Sequence, residues 1–369
     1  MHYGIISQPT YIWIRQDWKE ALNLPDPQSM DDVANICKQF MTTYGGYGIA
    51  VDQSLDFLNQ LAIGWGAHPD IWIEKDGQIE YGSVQPEMKD ALSAWAQWYK
   101  DGIINKDFAT TDYNKMNEDV VSGKVGVQPF YQWWGWAPGT DVVTNLGDAA
   151  QFRPYLIPSA NGQQVMSSIS FANGSYTVIS KKCKNPEAAL KLINYYGYMI
   201  DDSAVKEDAA TITAFTGNGL SHVSGAFSVI NPDSDYQQYE QILEAIKTGD
   251  TSGITNSVNL MKYNNAIDYI NNKTPGNIGY YMQEGFEQSA YGLGKQILDN
   301  GWYVKSKLWG ASPQTLIDSG STLNDILTEG FTKIIMGEES VDYFDQVVEN
   351  WKAAGGEQAT KEMNDLYNK

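Results

Sequence analysis

Apolar stretches with strand character open the chain. Tyr3-Gly4-Ile5-Ile6 and Tyr11-Ile12-Trp13-Ile14 carry the aromatic and β-branched residues that strands favour. Ser29 then stands ahead of Val33, Ile36, Cys37, Phe40 and Met41, a spacing that predicts a capped helix with one buried face. Gly45-Gly46 ends it and Tyr47 to Val51 reads as a short strand. Alternating strand, helix and strand is the pattern of an α/β lobe. Asp56 to Ile63 predicts another helix, followed by a loop from Gly64 to Pro69 that carries Trp65. The turn Asp76-Gly77 between Ile71-Trp72-Ile73 and Ile79-Glu80-Tyr81 predicts a β-hairpin. Beyond Pro86, Met88, Leu92, Trp95 and Tyr99 share one helical stripe, which makes Trp95 a core residue and leaves Trp98 half exposed.

Asp112 to Val121 reads as a helix, and Ser122-Gly123-Lys124 turns the chain into a strand beginning at Val125. Phe152 to Pro158 is extended, and Ser168 to Ile179 contains the polar bend Phe171 to Ser175 before strand resumes at Tyr176. Asn185 caps a helix with Pro186 in its first turn, running through Tyr195. From about Asp201 to Trp309 the chain is richer in Asn, Gly and Ser, consistent with helices joined by long loops. Thr322 with Asp325 resembles an N-cap ahead of the apolar face Leu323, Ile326, Leu327, Ile334 and Ile335. Ser340 caps a last stripe of Val341, Phe344, Val348 and Trp351, closed by Gly355-Gly356.

Against this background one run stands out. Tyr131-Gln132-Trp133-Trp134-Gly135-Trp136 follows the Val125 strand and is half tryptophan. An indole buries much area yet needs a partner for its N–H, so a dry core seldom takes several in succession. Flat aromatic faces bordered by polar groups complement the C–H faces and hydroxyl edges of sugar rings. The run also sits where a strand ends, the usual place for ligands in α/β folds. A carbohydrate cleft is therefore expected, although each single indole is about as well explained as core.

Composition narrows the alternatives. The chain has 369 residues, with 42% apolar, 19% charged and 12% aromatic, which fits a folded protein of two lobes. A formal charge of -20 disfavours nucleic acid and anionic membrane surfaces. Cys37 and Cys183 are far apart and His2, His68 and His222 are scattered, so no disulfide, metal site, cofactor motif or catalytic triad is expected. No stretch reaches the roughly 20 apolar residues of a membrane span.

Four segments together resemble the extracellular solute-binding proteins of ABC transporters, in the maltose-binding-protein-like branch that includes Gram-positive lipoproteins. They are Trp13-Ile14-Arg15-Gln16-Asp17-Trp18, Tyr99-Lys100-Asp101-Gly102-Ile103-Ile104, Ser122-Gly123-Lys124-Val125-Gly126, and Ile179-Ser180-Lys181-Lys182 leading into Asn185-Pro186-Glu187-Ala188-Ala189. The closing run Gly337-Glu338 through Trp351 to Gly356, then Glu362-Met363-Asn364, fits the same branch.

The resemblance implies an α/β fold of two periplasmic-binding-protein-like lobes that close by a hinge on a solute and hand it to a membrane permease. It assigns 1–18 to a crossover and entry strand and 19–180 to the second lobe. It assigns 181–308 to a mainly helical return toward the first lobe, and 309–369 to helices packing back on the second. In that family a stretch of first lobe precedes the segment like Tyr11 to Asp17, so that lobe is expected to be incomplete here. The family's lipoprotein signal and anchoring cysteine are not in this sequence, and the expected location is the outer face of the membrane. Trp65, Tyr131, Trp133, Trp134 and Trp136 match the family's aromatic platform, Asn173 and Ser175 a cleft-facing bend, and Trp309 a lesser position near the last crossover.

Three functions remain open at this level. The leading one is a non-catalytic oligosaccharide receptor, expected to be a monomer. A carbohydrate-active enzyme would need two carboxylates roughly 5 to 10 Å apart across the scissile bond. A receptor for a peptide or another non-sugar solute could use the same aromatics.

Overall fold

The computed structural model describes residues 9–170, 178–200, 234–254, 257–308 and 310–367. Its organising element is strand β1 (Thr10–Arg15), with every residue buried. Side chains alternate across a strand, so a strand buried on both faces must feed two cores. Ile12 and Ile14 enter one core, Tyr11 and Trp13 the other.

Helices α1 (Gln16–Ala21), α2 (Met30–Tyr44) and α3 (Asp56–Gln60) follow β1. A hairpin of β2 (Trp72–Lys75) and β3 (Gln78–Tyr81) precedes α4 (Met88–Lys100) and α5 (Tyr113–Val121). Strand β4 (Val127–Tyr131), α6 (Gly139–Leu146) and β5 (Phe152–Tyr155) complete the sheet, in the order β4-β1-β5. Both pairings are antiparallel, with Thr10 opposite Tyr131 and Arg15 opposite Phe152. Short β6 (Ser167–Ile169) pairs in parallel with the distant β7 (Tyr303–Lys305).

The later helices are α7 (Glu187–Ile200), α8 (Ser234–Thr248), α9 (Ser257–Asn272), α10 (Ile278–Glu284), α11 (Ala290–Asp299), α12 (Gln314–Met336), α13 (Tyr343–Trp351) and α14 (Glu357–Tyr367). Leu323, Phe331, Ile335, Phe344 and Met363 of the last three join Ile12 and Ile14 in the first core with α2 and α4. Tyr269, Ile278, Met282, Leu293 and Ile297 of α9 to α11 join Tyr11 and Trp13 in the second. Residues 257–299 thus pack on the Tyr11 and Trp13 face of this sheet. Sequence periodicity reveals that a face is apolar but not which face it meets.

Local expectations fared unevenly. Ser29 caps α2 in a reciprocal box with Asp32, and the hairpin pairs Trp72 with Tyr81. Tyr47 to Val51 forms no strand, only isolated bridges from Tyr47 to Val125 and Ile49 to Ile104. Trp98 is buried at 6% exposure because Trp65 packs edge-on against it. Helix α12 begins at Gln314 and runs through Thr322, so the cap motif there is idle: tertiary packing along the whole helix prevails over a local signal. In α13 Phe344 and Trp351 are buried as the stripe predicted, while Val347 is buried in place of the expected Val348. Cys37 is buried and free, and Cys183 is exposed and free.

Candidate functional site

At the end of β4 the chain turns into a short 3-10 helix, Gln132–Gly135, and the tryptophan run divides between surface and interior. Trp134 turns inward, only 1% exposed, stacked on Trp13 with centroids 5.7 Å apart and packed on Phe152 at 4.7 Å. It is a packing residue, which corrects its place among the ligand candidates. Trp136 is half-buried and clamps α10, its ring edge-on to Tyr280 at 4.2 Å and pressed against Gly279, where an added Cβ would come within 2.5 Å of it. Trp65 is also half-buried, and its ring partners are Trp95 and Trp98 of α4.

Tyr131 and Trp133 remain, and they form a pair. Their rings lie 6.1 Å apart and 18° from parallel, both half-buried, over a base of Phe130 and Phe57. Phe57 is stacked 4.7 Å from Phe130 and is held by α3. That short helix sets Asp56 and Asn59 one turn apart, on one side of the shelf. The Tyr131 hydroxyl donates to the Asp56 carboxylate at 3.2 Å, and the Asn59 amide donates to Asp70 at 3.4 Å. Two backbone positions beside the shelf are unusual: Leu55 (φ 60) and Asp70 (φ 65) adopt the left-handed region, which bulky and branched side chains rarely enter.

The electrostatics of the shelf are one-sided. Burial, then its like-charged neighbour Asp52, raises the Asp56 carboxyl, although the Tyr131 hydroxyl opposes the shift. Asp52 is itself raised by burial while accepting from Ser54 at 2.9 Å. Asp70 keeps an open face to solvent but is crowded by protein, and that desolvation, with Asp56 nearby, pushes it up to about 6. Burial brings His68 down to about 4, so this ring is neutral where it meets Ser168 at 3.0 Å. No Lys or Arg among the described residues forms an ion pair with Asp52, Asp56 or Asp70.

Asp70 also lines a cavity of about 490 Å³, bounded by the β2–β3 hairpin, the 306–312 segment and the start of α12. That volume lies within the range of small-molecule clefts, roughly 300–1,000 Å³. Ser170, the last residue before the undescribed bend, lines it too. Asn173, Ser175 and Trp309 fall outside the described residues. Of the sequence candidates, then, the structure unites Tyr131 and Trp133, and it adds Asp56, Asn59 and Asp70. A polar pair one turn apart in the Asp56 to Ile63 segment was the signal that could have revealed the first two.

Among the described residues no group of three or more His, Cys, Asp or Glu is placed to hold a metal ion, so the carboxylates do not form a cation cage. No described helix is long and apolar enough to cross a membrane.

The shelf adjoins the cavity through Asp70, which lines the cavity and accepts from Asn59. The family model for bacterial extracellular solute-binding proteins matches residues 4–197, just over half of the chain, and the chain belongs to that family. Two curated relatives come from Bacillus subtilis (strain 168). Lipoprotein LipO is 22% identical over 376 residues, spanning 96% of this chain and 68% of LipO. The polygalacturonan/rhamnogalacturonan-binding protein YtcQ is 22% identical over 379 residues, spanning 96% of this chain and 67% of YtcQ. Among solved structures, alginate-binding protein AlgQ2 superposes with a TM-score of 0.59 at 17% identity, covering 100% of this chain and 74% of AlgQ2. An HMO-binding, ABC-transporter-associated solute-binding protein from Bifidobacterium longum infantis gives 0.60 at 15% identity, covering 99% and 74%. At those identities the two structures establish the fold.

Proposed function

We propose that this chain is the receptor subunit of an ABC importer for oligosaccharides, displayed at the outer face of the membrane as a lipoprotein and acting as a monomer without catalysis of its own. The observation that carries this reading is the parallel Tyr131–Trp133 pair with Asp56 at its edge. Sugar rings stack on the aromatic faces while carboxylates accept their hydroxyl protons, and hydrogen bonds to a charged acceptor are about twice as strong as neutral ones. The names of YtcQ and AlgQ2 support a glycan over a peptide. Trp309 stays in the proposal because Leu308 and Gly310 on either side of it in sequence line the cavity, and Asn173 and Ser175 because they follow Ser170. Hinge closure brings a second surface onto the shelf and expels water.

One observation favours a hydrolase instead: a general acid needs a carboxyl held protonated near neutral pH, and Asp70 is pushed up to about 6. A single experiment separates the two. The full chain is titrated with a panel of oligosaccharides by indole fluorescence, and the sugars are recovered and separated by chromatography. Saturable binding with intact sugar supports the receptor. Cleavage at a rate proportional to protein supports the enzyme, and no response to any glycan refutes both.

A further inference from the structure

The hydrogen-bonding inventory of the shelf is lopsided. Asp52, Asp56 and Asp70 put three carboxylates beside one another at the shelf. The neutral donors beside these carboxylates are already engaged, Tyr131 and Gln60 with Asp56, and Asn59, Ser83 and Tyr81 with Asp70. Cations are scarce. Lys75, the nearest lysine in sequence to Asp70, is held by Glu87 at 2.9 Å. The segments outside the described residues contribute only His2, Lys206, His222 and Lys369 as basic side chains. An ionised carboxylate on a ligand is acceptor-only and would meet like-charged carboxylates with no counter-charge paired to them, whereas each hydroxyl of a neutral sugar can donate to this surface.

We propose that the shelf selects glycans that carry no carboxylate, neutral oligosaccharides above all, and rejects chains of uronic acids. This rests on the receptor reading above and sharpens it, since specificity is a difference in affinity to which repulsion contributes as much as attraction. The inference runs against the names of two relatives, the polygalacturonan-binding YtcQ and the alginate-binding AlgQ2.

The test is calorimetry on the full chain at low ionic strength with a chelator present, so that no added cation bridges carboxylate to carboxylate. Each uronate oligomer is paired with its carboxyl-reduced, neutral counterpart, alongside other neutral oligosaccharides of matched length. The expected result is a neutral ligand at least about tenfold tighter than any uronate chain, with the gap narrowing at high salt as screening grows. In Asp56→Asn/Asp70→Asn, uronate binding rises several-fold relative to wild type. A uronate oligomer that binds as tightly as the best neutral sugar overturns the selectivity and leaves the receptor reading intact. No gain of uronate binding in the double variant likewise overturns the role of these carboxylates, and binding to no glycan at all overturns the receptor reading together with this one.

Discussion

Two carboxylate neighbourhoods in this protein differ in how they are partnered. Around Asp119, on α5, Lys115 and Lys124 each approach within 2.8 Å and the Tyr47 hydroxyl donates at 2.7 Å. These hydrogen bonds outweigh the burial that alone would raise it and bring Asp119 down to about 2. Around Asp56 a tyrosine donates in the same way, but no lysine or arginine follows, and the carboxyl is raised. Burying a charge without a partner costs several kcal/mol unless something else repays it. Asp119 is a completed structural joint. Asp56 and Asp70 have neutral donors but no paired cation beside an aromatic shelf, the pattern of groups available to a ligand.

The comparison breaks most visibly where the tryptophan run divides. Trp134→Ala empties a core position between Trp13 and Phe152 and is expected to cost about 3–5 kcal/mol of stability, read by denaturant unfolding. The neighbouring Trp133→Ala should leave the unfolding curve nearly in place while weakening glycan affinity by more than about 1 kcal/mol. Equal stability losses in both would remove the distinction between shelf and core.

Next in size is the structural joint itself. Asp119→Ala loses three charge-assisted contacts, but its lysines are half exposed and rehydrate, so about 2 kcal/mol is expected from chemical denaturation. Asp56→Asn should do the reverse, leaving stability unchanged or slightly raised while sugar binding falls. A destabilised Asp56→Asn would place that carboxylate in the structural class.

The smallest effects appear in pH profiles, and they have opposite signs. Asp119 is depressed in the fold, so its stabilisation is present above the ordinary carboxylate value of 3.8 and is lost as pH falls toward 2. Asp70 is raised, so its contribution is present below 3.8 and is lost as pH rises through about 6. Asp119→Asn should flatten the acid limb of a stability-versus-pH curve, and Asp70→Asn the decline between roughly 4 and 6. Interchanged effects would mean that the two environments have been misjudged.

How much of this was legible in the sequence follows from what each signal measures. Ser29, Asp76-Gly77 and the Trp95 stripe are local signals, and the structure follows them. Helical spacing could not say that α9 to α11 close the same sheet as α5 and α6, because an apolar face does not name its partner. The run Tyr131 to Trp136 located the shelf but not its members. Which indole turns inward is decided by the short 3-10 helix after β4, and by Trp13, more than 100 positions earlier, waiting to stack on Trp134. Asp56 and Asp70 were hidden for a different reason. An acidic side chain in an acidic chain reads as solvated surface until its missing lysine can be seen.

The central claim is that the Asp56 and Asp70 carboxylates and the aromatic pair are one ligand surface. Fluorescence titration of wild type, Trp133→Ala and Asp56→Asn with the best neutral oligosaccharide tests it most directly. The expected result is that each variant loses affinity by about tenfold or more while its melting temperature stays within a few degrees of wild type. Unchanged affinity in both variants would contradict the account and move the binding surface elsewhere on the protein.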